Sequence, residues 1–444
     1  MQNLNLQQQE IFNKYLNGEN IFITGPGGTG KTYLIKEIVK HAKENNKSYK
    51  VCALTGCAAI LLECGATTLH AFAGVGLAAG PVNQVVDRVV KNKHRKVNWQ
   101  KTDILIIDEV SMLSLKLFII LDLIAKRLKH KREIPFGGMQ IIFSGDFYQL
   151  PPVGNEDDPD TTKFCFESPL WNELFELKNQ IILQTIFRQT DNKYAKILNK
   201  LRVGKITTTG MTELQKCVGK PFTDEVNPTI LLPRRKDVDI INTKEFNKLD
   251  NTDEKLFNMS AVDELELPLS KEQLANITLF TDQEKSQEIE YLSDNIMAEK
   301  KLVLRKGTVV MCIANLNIES GIINGSQGIV VDFKNDNPVV KFNDGIVQVI
   351  APHIWQSEKI PGIAVKQLPL IYAWAITIHK AQGVTLDKAY IDIGNQIFEC
   401  GQSYVALSRV KSLDGLYLKN FDFTKIKVNK KVQEFYTILE KLVI

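Results

Sequence analysis

Eight residues, Gly25-Pro26-Gly27-Gly28-Thr29-Gly30-Lys31-Thr32, place a glycine, four free positions and then Gly-Lys-Thr in a spacing suited to phosphate. Glycines let backbone N–H groups turn inward around a β-phosphate, at the positive end of the helix that follows. Lys31 would reach the β and γ oxygens, and the Thr32 hydroxyl would take a place on Mg²⁺. Two carboxylates, Asp108 and Glu109, end the apolar run Ile104-Leu105-Ile106-Ile107. Burial of that run as a strand aims Asp108 at the same Mg²⁺, while Glu109 can polarise an attacking water. Gln149, in Gly145-Asp146-Phe147-Tyr148-Gln149-Leu150-Pro151-Pro152, follows another apolar run, and its neutral amide suits sensing a γ-phosphate or orienting the water. Together these residues imply hydrolysis of a nucleoside triphosphate.

Such groups meet only if a scaffold brings their strand ends together. Asn20 to Thr24 reads as a buried strand before the glycine-rich loop, and Tyr33 to Ala42 has helical apolar spacing after it. A second strand, Tyr49 to Leu54, runs into Thr55-Gly56-Cys57-Ala58-Ala59, and, after the strand that ends at Asp108, another begins at Met139 and is stopped by Pro151 and Pro152. Parallel strands with helical crossovers and polar residues at their ends predict an α/β, doubly wound sheet with its ligand at the carboxyl edge. Ahead of it, residues 4 to 18 read as a helix with Leu4, Ile11, Phe12, Tyr15 and Leu16 on one face. Gln8 lies on that helix, and its amide can both donate to and accept from an adenine edge.

A chain of 444 residues exceeds one ordinary domain. Residues 72 to 99 read as a small excursion from the first core, and the apolar run Thr229 to Leu232 opens a second domain. Asp250 to Glu299 is acidic, has few aromatics and weak periodicity, and is expected to be partly flexible. From Leu302 to Val365 short alternating strands are separated by Asn324-Gly325, Asn335-Asp336-Asn337-Pro338 and Asn343-Asp344-Gly345, which predicts an inserted small β barrel.

Composition narrows the setting. Net charge is only +4, so binding to a polyanion would rest on local patches such as 91 to 96 and 126 to 132. Seven cysteines without CxxC spacing support neither a disulfide frame nor a zinc site, and point to a reducing, intracellular setting. The amino terminus lacks the features of a secretory leader, and the longest apolar stretch, Leu115 to Leu128, is interrupted by Lys116, Asp122 and Lys126. A soluble protein is expected.

Gln8, the glycine-rich loop, Asp108-Glu109 and the run 145 to 152 resemble, in order and spacing, a superfamily-one DNA helicase. More narrowly, the chain resembles the petite-integration-frequency family of the B branch. The resemblance continues through Pro135 to Gln140, Phe187-Arg188-Gln189-Thr190-Asp191, the run Ala373 to Thr385 and Tyr404-Val405-Ala406-Leu407-Ser408-Arg409, covering nearly the whole chain. It implies two RecA-like parallel-sheet cores, the first at 1–205 with a wedge insertion at 72–99, the second at 206–301 and 366–444, and an SH3-like β insertion at 302–365. It implies ATP and Mg²⁺, with Gly383 added to the nucleotide-binding group and with Arg188 and Arg409 as arginines that complete the site from the far side. Thr55, Thr68 and His70 match first-domain contacts to a single strand, and His379, Lys380 and Thr385 match their second-domain counterparts. Hydroxyls and neutral imidazoles suit a motor that must release as well as hold. Phe72, in Phe72 to Leu77, resembles an apolar wedge tip able to stack on a terminal base pair, and the same stretch reads equally as a loop packed against the core. The activity implied is 5′-to-3′ DNA unwinding driven by ATP, in replication, repair or recombination, and the alternative is a translocase that strips proteins from single strands. The implied partners are single-stranded DNA and a fork or partial duplex, without a membrane, and the implied form is a monomer able to assemble on DNA.

Overall fold

The computed structural model describes residues 4–76, 78–155, 157–222, 227–262, 267, 280–316, 322–357, 360 and 362–441, and the chain divides into two units. The first comprises Met1–Ile206, Glu399–Val405 and Ile426–Ile444, and the second Thr207–Phe398 and Ala406–Lys425.

In the first unit, α1 (Leu6–Leu16) leads into β1 (Ile21–Thr24), α2 (Lys31–Glu44), β2 (Tyr49–Ala53), α3 (Gly56–Leu61), β3 (Thr67–Thr68) and α4 (Leu69–Ala73). The helices α5 (Val82–Lys91) and α6 (Lys93–Lys101) precede β4 (Ile104–Asp108), α7 (Leu115–Leu128), β5 (Gln140–Gly145), α8 (Leu170–Leu174), β6 (Gln180–Ile182) and α9 (Asn192–Arg202). The strands form one sheet in the order β3-β2-β4-β5-β1-β6, every pair parallel. Helices cover both faces, so β1 and β4 are buried along their whole length, as their unbroken apolar runs require. Side-chain alternation sorts β1 between two cores. Ile21 and Ile23 pack with Ile11, Phe12, Leu34 and Ile38, whereas Phe22 joins Phe118, Phe143, Phe147 and Trp171 on the opposite face.

The carboxy-terminal helix, Lys430–Glu440, buries Val432, Tyr436 and Leu439 in that second, aromatic-rich core. The sequence places all of 366–444 in the second domain; among the described residues, 399–405 and 426–441 instead group with the first unit. The physical reason is aromatic: Phe435 lies 4.4 Å from Phe166 in a stacked pair, and Tyr436 stacks on Tyr148 at 4.7 Å.

The second unit holds a four-stranded parallel sheet in the order β18 (Ala375–Thr377), β7 (Thr229–Leu232), β19 (Ala389–Ile393) and β20 (Leu416–Phe421). A second, antiparallel sheet of five strands joins β11 (Val309–Cys312), β12 (Gln327–Lys334), β13 (Asn337–Phe342), β14 (Val347–Val349) and β17 (Leu370–Tyr372) around a core of Leu302, Val310, Val330, Val340 and Leu370. Its last strand lies beyond the 302–365 boundary. Within the acidic stretch, Thr281 and Glu284 close a capping box at the start of a helix, Asp282–Asn295. Of the segment 250–299 expected to be partly flexible, residues 263–266 and 268–279 lie outside the described residues. Among the described residues no helix is long and apolar enough to cross a membrane.

Candidate active site

Lys31, Thr32, Asp108, Glu109 and Gln149 sit at or just after the points where β1, β4 and β5 leave the sheet at its carboxyl edge. Gly30 caps α2, and the Lys31 ammonium donates to the carbonyls of Gly25 at 2.7 Å and Pro26 at 3.0 Å. Burial pushes the Lys31 pKa down, against the opposing pull of the Asp146, Glu109 and Asp108 carboxylates. Burial likewise pushes the Asp108 carboxyl up; the Ser144 hydroxyl, the Glu109 N–H at 2.9 Å, Lys31 and the Thr32 hydroxyl act the other way. Lys31, Thr32 and Asp108 are therefore mutual neighbours, as the loop and strand pattern predicts. A buried carboxylate beside a hydroxyl is a hard-oxygen donor set, and fits Mg²⁺ completed by substrate phosphates and water rather than a cage of protein ligands. No cluster of three His, Cys, Asp or Glu occurs among the described residues.

Glu109 adopts a left-handed backbone, φ 56° and ψ 39°, a conformation that costs a non-glycine residue about 1 kcal/mol. It turns the chain off β4 directly after Asp108. Its charge reaches both Lys31 and Arg188. Arg188 is itself held below its usual pKa by burial, partly offset by Tyr404 and Glu109. The backbone of Arg188 lies against the loop: a Cβ at Gly28 would sit 2.4 Å from the Arg188 Cβ, and the Phe187 N–H donates to the Gly28 carbonyl at 2.8 Å. Arg188 thus belongs to the same unit as the phosphate loop, where the resemblance implied an arginine from the far side. Gln149 is buried, on a turn closed by its N–H to the Asp146 carbonyl at 2.8 Å. Gln8 is also buried. Its carbonyl accepts from the Asn5 N–H at 3.1 Å, and its amide nitrogen lies 2.9 Å from where a Cβ on Gly30 would stand.

Two neighbours of the loop were not singled out from sequence. Phe187 is 58 % exposed, with ring carbons 3.6 Å from that same Gly30 position. An exposed phenylalanine beside a phosphate loop was the available signal, but its place depends on the long connection from β6. Tyr404, nearly 380 residues after the loop, accepts the Gly27 N–H at 2.9 Å through its hydroxyl. No local pattern reports such a contact.

Thr55 and Thr68 lie at the carboxyl ends of adjacent strands, β2 and β3, where Ala53 pairs with Thr68. Both hydroxyls cap helices, Thr55 accepting the Ala58 N–H at 3.2 Å and Thr68 the Ala71 N–H at 3.3 Å. His70 follows on α4, its pKa lowered by burial. Phe72 does not fit its expected role. It is 3 % exposed, packed on Trp99 at 4.8 Å in the aromatic core, because α4 turns its apolar face inward; Leu77, the end of the expected tip, lies outside the described residues. In the second unit, the Lys380 N–H donates to the Thr377 hydroxyl at 3.1 Å, close after β18. His379 keeps an exposed edge and is shifted, like His70, to lower pKa by partial burial. The carbonyl of Thr385 lies against Gly325, and Gly383 stands at φ 82° in the turn that precedes Thr385. Arg409 is buried, with one guanidinium nitrogen donating to the Ser408 hydroxyl at 2.7 Å.

Comparison with known proteins adds to this geometry. Residues 3–212 match the family model of PIF1-like helicase, and residues 289–333 match that of the DNA helicase Pif1 2B domain. The chain is 35% identical over 444 residues to the ATP-dependent DNA helicase PIF1 of Xenopus laevis, covering 99% of this chain and 65% of that protein. It is 30% identical to the ATP-dependent DNA helicase RRM3 of Saccharomyces cerevisiae, covering 99% of this chain and 68% of the relative. The chain thus spans about two thirds of the length of these relatives. Among solved structures, that of Pif1 helicase from Candida albicans superposes with a TM-score of 0.72 at 33% identity, covering 98% of this chain and 99% of the other.

Proposed function

Because the chain belongs to the PIF1-like helicase family, we propose that it is an ATP-dependent DNA helicase, coupling ATP hydrolysis to 5′-to-3′ movement along single-stranded DNA and to duplex unwinding in replication, repair or recombination. One observation carries the hydrolytic half: Lys31, Thr32, Asp108, Glu109 and Arg188 are gathered around one loop within the first unit. Lys31, drawn off the Gly25 and Pro26 carbonyls, binds the β and γ oxygens, and Glu109 takes a proton from the attacking water. Arg188 offers a planar fork of donors to charge building on the γ-phosphoryl group, and Gln149 orients the water. Thr32 and Asp108 would hold Mg²⁺, which would offset charge on the phosphates. Gln8 and the exposed ring of Phe187 flank the start of α2, where a base would lie. The role of Arg409 rests on the motif Tyr404 to Arg409, and that of His379, Lys380, Thr385 and Gly383 on the motif around them.

Partial duplexes with a 5′ or a 3′ single-stranded overhang, offered with ATP and Mg²⁺, test the reading. Unwinding is expected from the 5′ overhang and is lost in Lys31→Ala; unwinding from the 3′ overhang alone would overturn the polarity, and normal hydrolysis by Lys31→Ala the site. Burial of Phe72 favours one second reading, a translocase that displaces bound proteins without opening duplexes, since the expected strand-splitting side chain is occupied in the core. A chain that clears a protein block from single-stranded DNA but leaves a forked duplex intact would select it.

A further inference from the structure

At the strand end that leads into the phosphate loop lies a buried polar network that none of the roles above uses. Arg202, the last residue of α9, grips Asp146 through Nε at 2.9 Å to Oδ2 and through Nη2 at 2.8 Å to Oδ1. Burial alone would lower the Arg202 pKa, but the Asp146 carboxylate outweighs it and raises the group well above its usual value. The guanidinium lies over the rings of Tyr148 at 4.5 Å and Tyr436 at 4.9 Å. The Tyr436 hydroxyl, fully buried on the carboxy-terminal helix, donates to Asp146 Oδ1 at 3.3 Å, accepts the Phe147 N–H at 3.2 Å, and shares a short hydrogen bond with the Thr24 hydroxyl. One donor and two lone pairs are thereby all engaged.

The placement of these partners gives the network its meaning. Thr24 is the last residue of β1, directly before Gly25, and Asp146 directly follows β5, three residues before Gln149. β1 and β5 are neighbours, with Thr24 paired to Gly145. A single hydroxyl therefore ties together the two points at which the phosphate loop and the Gln149 turn leave the sheet. We infer that Tyr436 and Arg202 are positioning residues for ATP hydrolysis, which through Thr24 and Asp146 set the distance between Gln149 and the phosphate loop. This rests on the hydrolase reading above.

Steady-state, DNA-stimulated ATP hydrolysis by Tyr436→Phe, Thr24→Val, Thr24→Ser, Gln149→Ala and the pair Tyr436→Phe with Gln149→Ala tests it. Tyr436→Phe keeps the ring stack and removes only the hydroxyl. It should lower kcat about tenfold, with KM for ATP within about twofold, as for a hydrogen bond felt mainly in the transition state. Thr24→Val should behave alike, Thr24→Ser should retain wild-type kcat, and the double variant should be no slower than Gln149→Ala alone. Unchanged kcat in Tyr436→Phe, a KM rise as large as the kcat loss, or multiplying effects in the double variant would overturn the inference. If Tyr436→Phe does not fold, Thr24→Val against Thr24→Ser decides by the same kcat criterion. A wild-type chain without ATPase activity would take down the hydrolase reading and this inference together, whereas a hydrolysing wild type beside an unaffected Tyr436→Phe removes this inference alone.

Discussion

Lys31 and Asp108 show what burial does to a phosphate site before any substrate arrives. Burial pushes each toward its neutral form, the lysine downward and the carboxyl upward, opposed only in part by the Asp146, Glu109 and Asp108 carboxylates at Lys31 and by the Ser144 hydroxyl, the Glu109 N–H and Lys31 at Asp108. Glu109, held left-handed just beyond them, is the group proposed to act on water. Glu109→Gln should therefore bind nucleotide as wild type does while kcat falls by about 10²- to 10⁴-fold, the usual worth of a general base; single-turnover hydrolysis beside equilibrium binding measures both. Phe187 calls for the opposite split. Its exposed ring beside Gly30 contributes to holding a base and not to cleaving a phosphate, so Phe187→Ala should raise KM for ATP about fivefold with kcat unchanged, equivalent to the roughly 1 kcal/mol of an aromatic stack. A fall in kcat instead would place Phe187 among the groups that align Arg188.

At the scale of elements, the loop and its two flanking strands were legible because a strand, a glycine-rich turn and a helix are contiguous, and Asp108 and Gln149 each end an apolar run. The return of the chain to the first unit was not. Tyr436 and Gly401 carry local signals of a helix and a turn, and nothing near them in sequence reports that the partners are Thr24, Asp146 and Gln149, more than 200 residues away. Phe72 failed for a related reason: a short apolar stretch reads alike as an exposed tip or as a helix face, and only the position of Trp99 on α6 decides. Gly401 offers a test of the returning segment. It stands at φ 78°, and a Cβ there would lie 2.3 Å from the Gln149 carbonyl oxygen and 2.6 Å from that of Tyr148. Gly401→Ala must both adopt a left-handed backbone, costing about 1–2 kcal/mol, and displace the Gln149 turn. Chemical denaturation should show a loss of more than about 2 kcal/mol, and kcat should fall with it; a variant of wild-type stability and rate would mean that the segment leaves the turn without strain.

For the whole molecule, the question is how a chain with net charge of only +4 holds a polyanion while moving along it. Of the proposed strand contacts Thr55, Thr68, His70, His379, Lys380 and Thr385, only Lys380 is a fixed cation, and both imidazoles are shifted toward the neutral form. Affinity built from hydroxyls and neutral rings releases few counterions. For single strands, log K falls against log salt by about 0.7 per neutralised phosphate, so with Lys380 as the one fixed cation among these contacts a slope of about −0.7 is expected near pH 7.5. Lowering the pH well under the usual histidine pKa of ~6.5 should strengthen binding, because burial of His70 and His379 postpones their added positive charge to lower pH. Fluorescence anisotropy of a labelled oligonucleotide, titrated over salt at two pH values, measures both. A slope steeper than about −4 would assign the grip to the basic runs at 91–96 and 126–132 instead. That outcome would also change the account of stepping: a strand held by many fixed charges leaves through counterion return, whereas one held by a few directional hydrogen bonds is released by a small displacement of the groups that make them.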